Sequence, residues 1–214
     1  MSRVIPSDPG AFAMSFIANR LPSYLGKLLL AIWGVALLSA LICWGAWHYA
    51  VLPGPVVGEL AHLGPTPESN QWHMVHVLAA ECGCSSAVGE QLIKRRALIG
   101  VSEEVWLVGD APVLSKKLQQ AGFNVVNKSP EALAQDRQIE GAPWLLIARA
   151  SGAVAYSGGY AAQNPATVAQ LEDVALLQRA QQGETLAAYP AFGCAMSRRA
   201  KQSFDPLGLK YSLR

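Results

Sequence analysis

Ile139-Glu140-Gly141-Ala142-Pro143-Trp144-Leu145-Leu146-Ile147 sets a Gly-Ala-Pro break directly before an apolar run. Proline cannot donate to a strand ladder and is confined to first residues, edges or bulges, so Pro143 opens a strand over Trp144 to Ala148. Ser151-Gly152 then makes a tight turn, and Ala153 to Tyr156 supplies the hairpin partner. Upstream, an apolar run from His73 to Ala80 reads as a buried strand and leads into Cys82-Gly83-Cys84-Ser85. Ser85 and Ser86 offer N-cap oxygens to a helix carrying Val88, Leu92 and Ile93 on one face. Thiols at a strand-to-helix junction, with a proline opening a later strand, point to thiol chemistry.

The remaining pattern completes an α/β domain. Glu103 to Gly109 is a second strand, Asp110 caps a helix closed by Gly122, and Val125-Val126 is a short extended piece. Ser129-Pro130 opens a brief helix by the cap-then-proline pattern, and Asn164-Pro165 starts another with Val168, Leu171 and Ala175 on one stripe, ending at Gly183. The order βαβα(α)ββα implies a mixed sheet flanked by helices on both faces, over residues 72–183. Residues 184–214 form an extension holding Cys194 and four turn-forming positions, Pro190, Gly193, Pro206 and Gly208, with one helix expected around Met196 to Ser203.

Before the domain lies a segment of another kind. Between Lys27 and Glu59 there is no Asp, Glu, Lys or Arg, and Leu28 to Leu52 is almost continuously apolar, longer than the ~20 residues that cross a bilayer core. A transmembrane helix over 28–52 is expected. The leader 1–27 exceeds that of a usual cleaved signal, and no small-x-small site precedes Pro53. Arg3, Arg20 and Lys27 precede the span, and no Lys or Arg follows it until Lys94. This places the N-terminus in the cytoplasm and the domain outside. Trp44, Trp47 and Tyr49 suit the outer headgroup region. Residues 53–71, rich in proline and glycine, read as a linker.

Composition removes several function classes. A net charge of +2 with no dense basic cluster argues against nucleic acid, and Lys94-Arg95-Arg96 reads as the solvated end of a helix. No glycine loop that would cradle phosphate follows a strand, and no carboxylate pair has glycosidase-like placement.

With these residues in place, the chain resembles the thioredoxin-like superfamily, and within it the membrane-anchored bacterial TlpA/ResA kind, over roughly 72–182. The segment Ile139 to Ile147, Gly152 and the Gly158-Gly159 pair carry the resemblance. It implies that Pro143 is a cis-proline facing the cysteines and that Ala142 holds a substrate's backbone near the thiol. Cys82 stands where the family has its attacking cysteine and Ser85 where it has the resolving one. Glu81 replaces the family's Trp, Cys84 is additional, and His76 falls where a buried acidic residue is usual.

Cys82, at a helix N-terminus, is the expected nucleophile, because unpaired N–H groups and the helix dipole favour its thiolate. Cys84 would close a ring smaller than that of a CxxC pair, strained and easily reduced. Cys194 resolves a mixed disulfide without that strain if the extension folds back, or else makes a plain structural bridge. His76 is a candidate proton-exchange group for a leaving thiolate, against the ordinary reading of a hydrogen-bonded core histidine. Cys43 lies in the span as a small apolar residue.

The expectation is a thiol–disulfide oxidoreductase without cofactor. It is tethered to the bacterial inner membrane as a single-pass, N-in protein and acts on thiols or disulfides of envelope proteins, as in cytochrome or copper-enzyme assembly. No electron donor is assigned. One alternative is a thiolate metal site in which Cys82, Cys84 and Cys194 hold copper, zinc or an iron–sulfur cluster. Another is a binding module whose thiols are inert.

Overall fold

A computed structural model of the 214-residue chain describes residues 23–48, 51–52, 54–55, 63, 71–206, 208 and 210–211. Arg3, Arg20, Tyr49, the Trp47 side chain and most of the expected linker lie outside the described residues. The chain divides into two compact units, Met1–Ala46 and Trp47–Arg214.

The first helix, α1 (Ser23–His48), includes a window of 21 residues, Tyr24–Trp44, long and apolar enough to cross a membrane. From Leu28 to Trp44 its Leu, Ile and Trp side chains are exposed. The helix stops short of Leu52. Val51 and Leu52 instead form a two-residue strand, β1, and Leu52 is buried. The apolar run therefore serves two purposes, and its last residue supplies about 2 kcal/mol of burial to the folded unit.

The five-stranded sheet is built on β2 (Trp72–Ala79), every residue of which from His73 to Leu78 is buried. β2 pairs in parallel with β3 (Val101–Val108), which pairs in parallel with β4 (Asn124–Lys128). On its other side β2 runs antiparallel to β6 (Trp144–Ala148), and β6 to β7 (Val154–Gly158), giving the order β4-β3-β2-β6-β7. The intervening two-residue β5 (Gly141–Ala142) lies outside this sheet. A mixed sheet with parallel crossovers on one side of the central strand and a hairpin on the other is the thioredoxin-like arrangement that the resemblance implied.

Alternation along β2 divides the core. Met74 and Leu78 join Val88 and Leu92 of α2 (Gly83–Arg95), Leu118 of α3 (Pro112–Gln120) and Leu176 of α5 (Asp173–Gln181). Val75 and Val77 face the opposite way, with Leu133 of α4 (Pro130–Arg137), Trp144 and Leu146. This second core is completed from afar, by Leu52, by Ala191 of β8 (Ala191–Phe192) and by Met196. β8 pairs with β1, and β9 (Cys194–Ala195) pairs with β5, before α6 (Arg198–Phe204), the last described helix. The extension thus covers a sheet face.

Several local expectations change. Helix α2 begins at Gly83 with Cys82 at its N-cap, so Ser85 and Ser86 lie inside the first turn. Ala111 precedes α3 and Pro112 opens it, because a proline at the first helical position sets the start; Asp110 lies before both and does not cap. Ser129 does cap α4, accepting from the Ala132 N–H at 3.1 Å. The segment from Asn164 is not helical until Asp173. The Asn164 side chain accepts from the Ala166 N–H and its carbonyl from Thr167, a local turn that competes with helix.

Candidate functional site

Cys82, Cys84 and Cys194 meet at one point, and no disulfide joins them. Two features of the fold achieve this. Ending β2 at Ala79 and starting α2 at Gly83 leaves Cys82 in extended backbone at the helix N-cap, with no side chain capping the free N–H groups. The return of the extension then sets Cys194 directly across from Ala142 in the β5–β9 pair, with Gly141 opposite Ala195.

Cys82 is 1% exposed, and as a thiol it donates to the Ala142 carbonyl at 3.4 Å. Ionised, it is an acceptor with several donors. The S–H of Cys194 is the strongest of these and that of Cys84 the next; burial opposes them, and the Ser85 N–H and hydroxyl add to them. Together they carry the Cys82 pKa far below that of a free thiol. The other two sulfurs shift the opposite way, because ionising either would remove the donor that Cys82 uses and set two negative charges together. Ionisation is therefore favoured at Cys82 over Cys84 and Cys194.

Neighbours secure the arrangement. The Ser85 hydroxyl, fully buried, accepts from the Ala79 N–H at 3.1 Å, so its proton is free to point at Cys82. Cys84 donates to Asn164 Oδ1 at 3.5 Å. The Ala142–Pro143 peptide bond is cis. Beside Cys82 and Cys194 opens a cavity of about 460 Å³ whose wall includes Glu81, Lys201, Lys210 and Tyr211. Lys210 favours the ionised form of both Cys84 and Cys194. Glu81, in the place where the resemblance has Trp, is exposed.

His76 is placed differently from the proton-exchange role considered for it. Its Nδ1 lies 3.0 Å from the Tyr160 hydroxyl and its Nε2 3.5 Å from Glu103 Oε2, with the ring edge-on to Phe123. Glu103 is gripped by both terminal nitrogens of Arg95, at 3.0 and 2.9 Å, and Arg95 also reaches Asp173 at 3.0 Å. Burial pushes the Glu103 carboxyl up, but His76 and Arg95 together hold it down at about 2. This corrects the reading of Lys94-Arg95-Arg96 as merely solvated: Arg95 turns inward and ties α2 to β3 and α5. The histidine sits beside that ionic cluster, since its Nδ1 is hydrogen-bonded to Tyr160 and its Nε2 faces Glu103, both away from the sulfurs.

Sequence reasoning found Cys82, Cys84, Cys194 and Ala142, which the fold brings together. It missed Ser85 as a donor, Asn164, Lys210 and Tyr211. The last three come from loops and the extension, where no periodicity marks them. Among the described residues no group of three or more His, Cys, Asp or Glu side chains takes a metal-holding arrangement.

No family model and no curated protein matches the chain. Among solved structures it is similar to an uncharacterized conserved protein from Geobacillus kaustophilus, at 15% identity over 70% of this chain and 90% of that one, with a TM-score of 0.49. A hypothetical protein from Sinorhizobium meliloti aligns at 14% identity over 70% and 91%, TM-score 0.48. A secreted disulfide oxidoreductase from Mycobacterium tuberculosis aligns at 13% identity over 53% and 83%, TM-score 0.37. Likeness at this distance does not carry an activity from one chain to another.

Proposed function

We propose that this chain is a thiol–disulfide oxidoreductase of the thioredoxin-like class, anchored by its N-terminal helix and acting on cysteines of other envelope proteins. The observation that carries this reading is the sulfur cluster, in which a buried thiol at a helix N-cap has two further thiols placed to donate to its thiolate. A structural thiol in an apolar core has its pKa raised, whereas a nucleophile needs it lowered.

In the proposed cycle the Cys82 thiolate attacks one sulfur of a client disulfide. A Cys82–client disulfide forms, and the client's other sulfur leaves as a thiolate and takes a proton from solvent. Cys194, once deprotonated, attacks Cys82 Sγ; the mixed bond breaks and the second client sulfur is released as a thiol. The client gains two electrons and the protein is left with a Cys82–Cys194 disulfide. The reverse sequence oxidises a client dithiol. An external dithiol or disulfide protein resets the pair, and the potential of that partner sets the direction. Ala142 holds the client backbone, Pro143 shapes the loop behind it, and Cys84 serves as the second donor to the thiolate.

The helix window Tyr24–Trp44 supports membrane anchoring, and Arg3, Arg20 and Lys27 before it support an N-in orientation with the domain in the periplasm. The test is alkylation of the full-length protein in detergent at mildly acidic pH, read by mass spectrometry with metal content recorded. Cys82 is expected to react first and alone. Uniformly slow thiols, or copper or zinc that protects all three, would replace this reading with an inert or a metal-binding one.

A further inference from the structure

The edge that would receive a client is already taken, and the occupant is this chain. Residues Tyr189 to Met196 run across the end of the sheet on backbone contacts. The Gly159 N–H donates to Tyr189 O at 2.9 Å, β8 and β9 pair with β1 and β5, and the Met196 N–H donates to Glu140 O at 2.7 Å. Close approach has been built in on both sides. A Cβ on Gly159 would lie 2.1 Å from Pro190 O, and one on Gly193 would lie 1.9 Å from Ala142 O and 2.7 Å from Pro143 Cδ. The residue before Cys194 must therefore be glycine for the strand to seat. The outer side is held more lightly, with the Ala195 N–H donating to the Tyr211 hydroxyl at 3.0 Å.

We propose that residues 190–195 are an internal stand-in for the client: a cysteine-bearing strand that occupies Gly141–Ala142 at rest and that a client strand must replace. This rests on the thiol–disulfide reading above and adds two things to it, a closed resting state and a substrate class. The client segment is extended, pairs antiparallel with Gly141–Ala142, and has glycine immediately before its cysteine, because the space that excludes a side chain at Gly193 excludes one there too. Return of the tail then expels the client strand and delivers Cys194 to the Cys82 sulfur in one movement.

The experiment uses full-length protein in detergent and two five-residue peptides, Phe-Gly-Cys-Ala-Met and Phe-Ala-Cys-Ala-Met, each activated as a mixed disulfide with an aromatic thiol. Attack by Cys82 forms a Cys82–peptide disulfide and releases the coloured aromatic thiolate. A Cys194→Ser background keeps the adduct from being resolved, and Gly193→Ala is added to it to unseat the tail. A resting state open at most about one tenth of the time predicts a gain of roughly tenfold or more on unseating, and preference for the glycine peptide in both proteins. Should Gly193→Ala fail to fold, Tyr211→Phe loosens the same strand and gives a smaller gain in the same direction.

Equal rates with and without the substitution, while amide exchange shows the backbone N–H of position 194 released, would overturn the occupancy. An alanine peptide that reacts as well as the glycine peptide would overturn the substrate class. If neither peptide ever labels Cys82 in any variant, the oxidoreductase reading itself falls.

Discussion

Replacing Cys194 by alanine removes the strongest donor to the Cys82 thiolate. Hydrogen bonds to a charged group are worth about 1.5–3 kcal/mol, and about 1.4 kcal/mol corresponds to one pKa unit. Cys82 is almost fully buried, so water cannot replace the lost S–H, and the upper part of that range applies. The expected result is a rise of about two units in the midpoint of the pH–rate profile for alkylation at Cys82. Cys84→Ala shifts the midpoint the same way by less, since Cys84 is the weaker donor. Cys194→Ser is the informative contrast: the hydroxyl still donates, so most of the depression survives, but a mixed disulfide on Cys82 is no longer resolved. Thiolate absorbance against pH, followed by mixed-disulfide trapping, reads both properties on the same samples. A midpoint unmoved by Cys194→Ala would refute the account, for the extension would then have no electrostatic hold on the nucleophile.

Two further outcomes follow from packing and charge. Glu103→Gln leaves Arg95 short of a partner in the interior and is expected to cost about 3–5 kcal/mol in denaturant unfolding. Because the folded-state pKa of Glu103 is depressed to about 2, its contribution is complete above the ordinary carboxylate range and is lost as pH falls toward 2; the variant should show a flatter acid limb. Leu52→Ala is expected to cost the domain about 2–4 kcal/mol, measured by thermal unfolding, whereas a residue serving only a membrane span would leave domain stability unchanged.

The sheet is legible in the chain because its central strands are largely apolar, with β3 set between Gly100 and Gly109 and β6 opened by Pro143, and the cysteine junction because a strand pattern gives way to a helical one there. Boundaries read less well. Ser85 and Ser86 look like caps, but the helix starts earlier because Cys82 already has extended backbone and Ser85 is drawn under the strand end by the Ala79 N–H. Asn164-Pro165 looks like a helix start, and local side-chain bonding makes it a turn instead. The largest gap concerns β1, β8 and β9. Strands of two residues carry no periodicity, and their pairing joins Leu52 to Ala191 and Ala142 to Cys194, partners too far apart in sequence for any local pattern to reveal. For the site, three sulfurs are identifiable by type, but their common meeting point depends on that non-local pairing.

The return of the extension is metered. Tyr189 is fixed at one end by Gly159 and by the Tyr156 hydroxyl, and Met196 at the other by Glu140. Successive residues of a strand point to opposite sides, so one residue added or removed between those anchorages would rotate the sulfur of position 194 out of the cluster while leaving both cores intact. Chain length over this short stretch is thereby a chemical parameter: a fully folded protein with the spacing off by one would keep its shape and lose its second thiol.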